Sequence, residues 1–95
     1  MYWTRLEQID ADLKRLEALN RAVGQAPENA DLRHEAATIC LRNGQEQEAL
    51  RWLSGALQVS PQYRPAHQAL AEYYERHSKP ERAAYHRRLA SSGPG

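Results

Sequence analysis

The chain has 95 residues, 26% of them charged, with 13 Lys/Arg against 12 Asp/Glu and a formal net charge of +1. A single domain of this size buries only about 60–65% of its unfolded surface, so its stability is expected to be modest. No apolar run approaches the roughly 20 residues that span a bilayer. Charged residues begin at Arg5, which leaves no signal-peptide core, and a single cysteine forms no internal disulfide.

The charge is uneven along the chain. Residues 1–50 carry six Lys/Arg against nine Asp/Glu, and residues 51–95 carry seven against three, so the halves have charges of −3 and +4. A dipolar distribution of this kind can orient a partner or a second copy of the chain.

The first predicted helix runs from about residue 5 to Val23. Thr4 and Glu7 form a capping-box pattern at its start, and Gly24 is expected to end it. Apolar residues three and four apart form a stripe on one side of this helix, and charged residues, Asp12 among them, occupy the other side. The stripe consists of Leu6, Ile9, Leu13 and Leu16, and Leu19 widens it.

Turn and capping residues predict four further helices. Asn29 is a good N-cap, Gly44 can take the left-handed conformation that ends a helix, and Pro61 cannot continue one. Pro65 suits the first turn of a helix, and Ser78-Lys79-Pro80 forms the last tight turn. The predicted helices span residues 30–42, 45–59, 65–76 and 80–90, and residues 91–95 form a flexible tail or linker.

The chain matches itself at a shift of about 34 residues. The matches fall at small, apolar and helix-stopping positions, where helix packing is most demanding. The matched pairs are Pro27/Pro61, Ala37/Ala71, Ala49/Ala83, Ala56/Ala90, Leu16/Leu50, Leu19/Leu53, Ala22/Ala56 and Arg42/Arg76. This period, with Gly44 and Pro61 at the ends of helices, resembles the tetratricopeptide repeat.

The resemblance is strong over residues 30–61, good over residues 64–90 and weak before Pro27. It implies an all-α solenoid of five helices in antiparallel pairs, forming one domain over residues 1–95. Residues 1–26 would be an N-terminal helix or a remnant repeat, residues 27–61 the first repeat, and residues 62–90 the second. Arg87 stands where Leu19 and Leu53 stand, which predicts a polar capping helix at the end of the array.

Catalytic and metal sites are not expected. The chain has no Gly-rich phosphate loop and no G-x-S-x-G, H-E-x-x-H or C-x-x-C motif. Cys40 and His34 are six residues apart on one helix and point away from each other, so Cys40 is predicted to be a small core residue. The four histidines include no i, i+4 pair, and His67 and His86 could meet only through the fold. We therefore predict no enzyme, no metal and no cofactor.

The basic C-terminal end and the aromatic N-terminal start are two candidate binding sites. Glu75 and Glu81 dilute the basic cluster, so we predict a solvated capping helix and no nucleic-acid binding. Tyr2 and Trp3 are residue types that flank membrane spans. They favour either packing on the first helix or another chain, or a membrane anchor that lies before residue 1. The basic cluster is Arg76, Lys79, Arg82, Arg87 and Arg88.

The resemblance implies a scaffold that binds a peptide or a helix of a partner protein in a concave groove. His34, Thr38, Gln68 and Ala69 stand where one subclass carries Lys, Asn and Arg residues that clamp chaperone C-termini, so that specificity is not supported. The first helices of the two repeats would line the groove. The candidate groove residues are Asp31, His34, Thr38, Leu41, Arg42, Gln68, Glu72, Glu75 and Arg76.

Self-association is the alternative function. Repeat arrays generally need three or more units, and this chain has about two and a half. The shortfall could be met by the first helix, by the rest of a larger protein, or by a homodimer. In the dimer, the stripe of Leu6, Ile9, Leu13 and Leu16 would pair with its copy about a twofold axis, and the chain would be an assembly module.

Overall fold

The computed structural model describes the backbone of residues 2–91 and the side chains of residues 7–91. This part of the chain forms five helices and no strand, which confirms the predicted all-α fold. The helices are α1 (Tyr2–Gln25), α2 (Ala30–Arg42), α3 (Glu46–Val59), α4 (Arg64–Arg76) and α5 (Pro80–Ser91). The predicted tail lies outside the described residues except for Ser91. None of the described helices is long and apolar enough to cross a membrane.

Both predicted ends of α1 are wrong. The helix begins at Tyr2, so Thr4 lies inside it and is not its N-cap. At the other end the helix continues through Gly24, and Ala26 N–H still donates to the Ala22 carbonyl at 2.8 Å. Pro27 decides the end, because its ring disfavours helical backbone in the residue before it.

The remaining helices begin and end within a residue of their predicted limits because local chemistry determines their ends. The Asn29 side chain accepts hydrogen bonds from the backbone N–H groups of Asp31 and Leu32, at 3.0 and 3.4 Å. Pro65 lies in the first turn of α4, as predicted. Gly44, which follows α2, has a positive φ of 77°. There the Gln45 N–H bonds to the Cys40 carbonyl at 2.8 Å, closing a Schellman-type end.

The core is built from small residues between the helices. Alanines at 0–1% exposure, among them Ala37, Ala49 and Ala56, let α2, α3 and α4 approach closely around Leu53. A second cluster joins Leu19 of α1 to Ala36 and Ile39 of α2. Within the described residues, α2 packs most extensively on α3, and α4 on α5, with α1 on α2 and α3 on α4 completing the array.

Asp12 was predicted on the solvent side of α1, and this is wrong. Its side chain is buried, with the residue 3% exposed, because α1 meets α2 through Asp12, Leu16 and Leu19. The contact face is therefore rotated away from the predicted apolar stripe, and it leaves Ile9 and Leu13 exposed.

A polar contact between neighbouring helix pairs repeats at the 34-residue period. Asp12 of α1 accepts a hydrogen bond at 3.0 Å from Asn43, the residue that ends α2. Glu46 of α3 contacts His77, the residue that ends α4, at 3.1 Å. Both members of the second contact lie 34 positions after those of the first. The same contact therefore fixes how neighbouring helices align in both places. In each, an acidic side chain on one helix contacts the residue that ends the next helix.

Candidate peptide-binding groove

A shallow groove of about 290 Å³ lies between α2 and α4. It forms because α3 and α5 pack behind these two helices and leave one face of each open. From α2 the groove is lined by residues at helical spacing, and from α4 by the facing turn. The lining residues are His34, Thr38, Leu41, Pro65, Gln68, Ala69 and Glu72.

The two walls of the groove offer different chemistry. His34 is half-buried, and burial lowers its pKa although Asp31 opposes that effect. The Thr38 hydroxyl donates to the His34 carbonyl at 3.0 Å, so its donor is used within α2. On α4, Gln68 and Glu72 are exposed. The groove therefore presents an imidazole and apolar surface on one side and an amide and a carboxylate on the other.

Four predicted groove residues lie elsewhere. Arg42 turns to α1, where its Nη2 donates to Asp12 Oδ1 at 2.6 Å and its Nε to Oδ2 at 3.1 Å. Glu75 forms an ion pair with Arg87 on α5. Asp31 lies at the edge of the array beside Pro27 and Ser60. Arg76 is exposed at the end of α4 and does not line the groove.

Tyr63 supports the groove and was not predicted. Its hydroxyl donates to the Asp31 carboxylate, and its ring meets the edge of the His34 ring with centroids 5.8 Å apart. Burial and the bond to Asp31 raise the Tyr63 pKa. Tyr63 ends the turn before α4, so no helical pattern connected it with residues that lie 29 and 32 positions earlier.

A family model for the tetratricopeptide repeat matches residues 15–73, which is more than half of the chain. The chain belongs to the tetratricopeptide repeat family. The match extends from the second half of α1 into α4 and contains every residue that lines the groove. No curated protein and no solved structure matches the chain significantly. This match confirms the predicted resemblance. Tetratricopeptide repeats generally mediate protein–protein interactions and are typically non-catalytic.

In this tetratricopeptide repeat domain, the candidate self-association residues separate into two groups. Ile9 and Leu13 are 43% and 49% exposed. Leu16 instead packs against the core clusters. The side chain of Leu6 lies outside the described part. The predicted stripe is therefore not a single free surface.

His67 and His86, which the sequence alone does not bring together, meet between α4 and α5. Their Nδ1 atoms are 3.0 Å apart, and His67 Nε2 is 2.9 Å from the Pro61 carbonyl oxygen. The carbonyl only accepts, so His67 Nε2 carries a proton. The ring centroids are 5.2 Å apart, close to the nitrogen separation plus the two ring radii, so the two rings meet through their Nδ1 edges.

This histidine arrangement is that of a hydrogen bond. The 3.0 Å separation of the two Nδ1 atoms suits a hydrogen bond between them. Burial, and then the neighbouring His67, lower the pKa of His86. Among the side chains that the structure describes, no three His, Cys, Asp or Glu residues form a group that could hold a metal.

Cys40 lies in the core at 2% exposure. Burial, and to a smaller extent the charge of Glu48, raise the pKa of its thiol, which keeps it protonated. Since the thiolate is the reactive form, the placement agrees with the prediction that Cys40 is a packing residue.

Proposed function

We propose that this domain is a non-catalytic scaffold that binds an extended peptide or a helix of a partner protein in the groove between α2 and α4. The observation that carries the proposal is the alignment of His34, Thr38 and Leu41 on one wall with Gln68 and Glu72 on the other. Protein–protein interaction is the general role of the family, and the two walls of this groove are α2 and α4, the first helices of the two predicted repeats.

The groove favours a ligand that combines apolar contact with hydrogen bonds. Leu41, Pro65 and Ala69 supply apolar surface on the groove floor and sides. Gln68 offers both donors and an acceptor, and the Glu72 carboxylate accepts from cationic or amide groups. The groove is small, so a peptide of a few residues would bind weakly unless it continued along the neighbouring surface. That surface includes a second depression, between α4 and α5, which Gln68 and Glu72 also line.

Peptide selection with a matched pair of variants tests the proposal. Peptides would be selected from a displayed random library on the wild-type domain, and their dissociation constants measured by fluorescence anisotropy. Gln68→Lys places a long cation in the groove and should weaken binding about tenfold or more. Gln58→Lys makes the same change at an exposed position of α3, outside the groove, and should leave binding unchanged.

Both variants should retain wild-type helicity and thermal midpoint, because both glutamines are exposed. Equal binding of the selected peptides to the wild type and Gln68→Lys would refute the groove as the site, and so would a larger loss in Gln58→Lys. Amide chemical shifts recorded with the tightest peptide should change on the facing sides of α2 and α4.

A further inference from the structure

The last helix, α5, is attached to the array by little apolar contact. It packs on α4, and Ala83 is its one buried residue in the part of the chain that the structure describes. Neither of the two core clusters contains a residue of α5, whereas α2, α3 and α4 each place more than one buried residue in them. The attachment of α5 therefore depends on polar contacts more than that of the three helices before it.

Two polar side-chain pairs join α5 to α4 within the described residues. Arg87 forms an ion pair with Glu75, but both side chains are about half exposed, so the pair contributes little. The other pair is His86 with His67, whose Nδ1 atoms are 3.0 Å apart. His67 is 4% exposed and His86 is half-buried, so this hydrogen bond is the better shielded of the two contacts.

The bond between the two histidines limits how many protons the attached helix can hold. His67 Nε2 carries a proton because it lies 2.9 Å from the Pro61 carbonyl oxygen, which only accepts. Neutral His67 therefore accepts through Nδ1, and His86 donates through its own Nδ1. One added proton can go to the far nitrogen of His86 and leave this bond intact. A second would go to His67 Nδ1, where it would point one donor at another and place two cations side by side.

The groups around the pair do not offset that second charge. On α4, the Tyr74 ring stacks on His86 with centroids 5.7 Å apart. On α5, the Tyr85 ring meets His86 edge-on at 5.0 Å, and the Arg82 guanidinium lies 5.7 Å from the centre of the Tyr74 ring. The turn before α4 contributes a neutral carbonyl, and α3 contributes no described hydrogen bond to either imidazole. Burial, and then the neighbouring imidazole, lower the pKa of His86, and no carboxylate opposes them.

The first repeat makes the equivalent backbone contact without a titratable pair. Arg33, which stands 34 positions before His67, donates from Nη2 to the Pro27 carbonyl at 3.2 Å, as His67 does to the proline carbonyl of its own repeat. Trp52 stands 34 positions before His86 and packs against both core clusters. Arginine remains charged throughout the physiological pH range, and tryptophan does not titrate. The histidine pair is therefore specific to the place where the last helix attaches.

We propose that mild acidification releases α5 from α4, with the His67–His86 pair as the proton-sensitive contact, while the helices before it stay folded. Once α5 is released, the two imidazoles no longer face each other, and histidine in water takes up a proton below about pH 6.5. The released state then holds at least one proton more than the attached state. Each such proton raises the ratio of released to attached α5 about tenfold per pH unit below about pH 6.5.

Release would change the surface beside the peptide groove. The depression that continues from Gln68 and Glu72 is bounded on its other side by Arg87, Ala90 and Ser91 of α5, so it is lost when α5 leaves. The groove between α2 and α4 contains no residue of α5 among its described lining. The inference therefore does not rest on the proposed function, although it predicts which neighbouring surface the domain offers at each pH.

Native-state hydrogen exchange followed by NMR tests the proposal on the wild-type chain. Protection factors, which correct for the intrinsic pH dependence of amide exchange, should fall about 30-fold in α5 between about pH 7.5 and about pH 5, the effect of one proton. At each pH the α5 amides should be less protected than those of α3, and low urea should change their protection less, because releasing one helix exposes less surface than unfolding the domain.

Two results on the wild type would overturn the proposal. The first is α5 protection that does not change over this pH range. The second is equal protection and equal urea dependence in α5 and α3, because α5 would then open only when the whole domain unfolds. Neither result requires a variant.

A double variant and a matched control test the assignment to the histidine pair. His67→Gln combined with His86→Gln keeps an amide donor and acceptor across the contact but removes both titratable rings, so α5 protection should change less than about threefold over the same range. His34→Gln removes another half-buried histidine, which lies at the groove and contacts Tyr63. It should keep the wild-type response of α5. A full response in the double variant, or its loss in His34→Gln, rules out the pair, even if the double variant already loosens α5 at neutral pH.

Discussion

Ser78 stands at the position of the second repeat that Gly44 occupies in the first. Both residues follow a helix and both take a positive φ, 77° at Gly44 and 56° at Ser78. The bonds that close the two ends also correspond, since Lys79 N–H donates to the Tyr74 carbonyl at 2.8 Å as Gln45 donates to Cys40. Among the described residues, Ser78 is the non-glycine residue with a positive φ. Its Cβ makes this left-handed conformation unfavourable.

Replacing this serine by glycine should stabilise the domain. Ser78→Gly relieves a left-handed backbone strain of about 1–2 kcal/mol. It also makes the unfolded chain more flexible, which lowers stability by about 0.4–1 kcal/mol. The free energy of unfolding should therefore rise by roughly 0.5–1 kcal/mol. Urea denaturation measures the change. The reverse substitution, Gly44→Ser, is the control and should lower stability, because no side chain contact compensates the strain there. A lower free energy of unfolding in Ser78→Gly would contradict this expectation. It would show that the serine side chain stabilises the turn by more than the backbone strain destabilises it.

At the scale of helices, α1 is joined to the array through a buried carboxylate. Asp12 receives hydrogen bonds from Arg42, Asn43 and Gln8. The bond from Arg42, followed by those from Asn43 and Gln8, lowers the Asp12 pKa from 3.8 to about 2, although burial opposes the shift. Apolar contact alone would let α1 rotate or slide on α2, whereas these bonds are satisfied in one register only.

Acid should release this contribution of Asp12. A carboxyl group whose pKa is lowered by folding stabilises the folded state above its unfolded pKa, and that stabilisation is lost as pH falls from about 4 towards about 2. Asp12→Asn should therefore be less stable than the wild type at neutral pH, and the difference should shrink in that acid window. Urea midpoints measured over this range test the expectation.

Asp10→Asn is the matched control, since Asp10 makes only an exposed pair with Lys14 on its own helix. It should change the urea midpoint little at any pH. An Asp12→Asn difference that stayed constant down to the lowest pH would mean that the carboxylate charge does not stabilise the α1–α2 contact.

Across the whole molecule, two histidines connect stability to pH near neutrality. His34 lies at the groove between α2 and α4, and His86 lies between α4 and α5. Burial lowers both pKa values below 6.5, and the proximity of His67 contributes at His86. As the solution becomes acidic, these two histidines therefore bind protons more readily in the unfolded chain than in the folded chain.

The free energy of unfolding should therefore be at its full value above about pH 6.5 and should decrease as the pH drops below that value. The reason is that the unfolded histidines, with the higher pKa, take up protons first, and this stabilises the unfolded chain. Urea denaturation at several pH values between about 5 and about 8 measures the slope. His86→Asn removes one of the two contributions and should give a shallower slope than the wild type. Stability that rises on acidification in the wild type, or an unchanged slope in His86→Asn, would contradict this account.

Local chemistry in the sequence determined most of the fold. Asn29, Gly44, Pro61 and Pro65 act on neighbouring backbone, so α2 to α5 could be placed from them, and the 34-residue period identified the family. The C-terminal end of α1 was misplaced because Pro27, and not Gly24, decides where the helix stops. Five of the nine predicted groove residues line the groove, since helical spacing correctly puts them on one face.

Only the tertiary structure decided which side of each helix is used and which polar groups meet. Arg42 was predicted to line the groove and Asp12 to face solvent, because a helical pattern cannot show a charge pair 30 positions apart. The meeting of His67 with His86, and of Tyr63 with Asp31, also depends on how helix pairs stack. Capping and turn formation involve atoms a few residues apart and can be read along the chain. The groove, the buried carboxylate and the histidine pair arise from contacts between helices, whose rotation is chosen by the packing of the whole array.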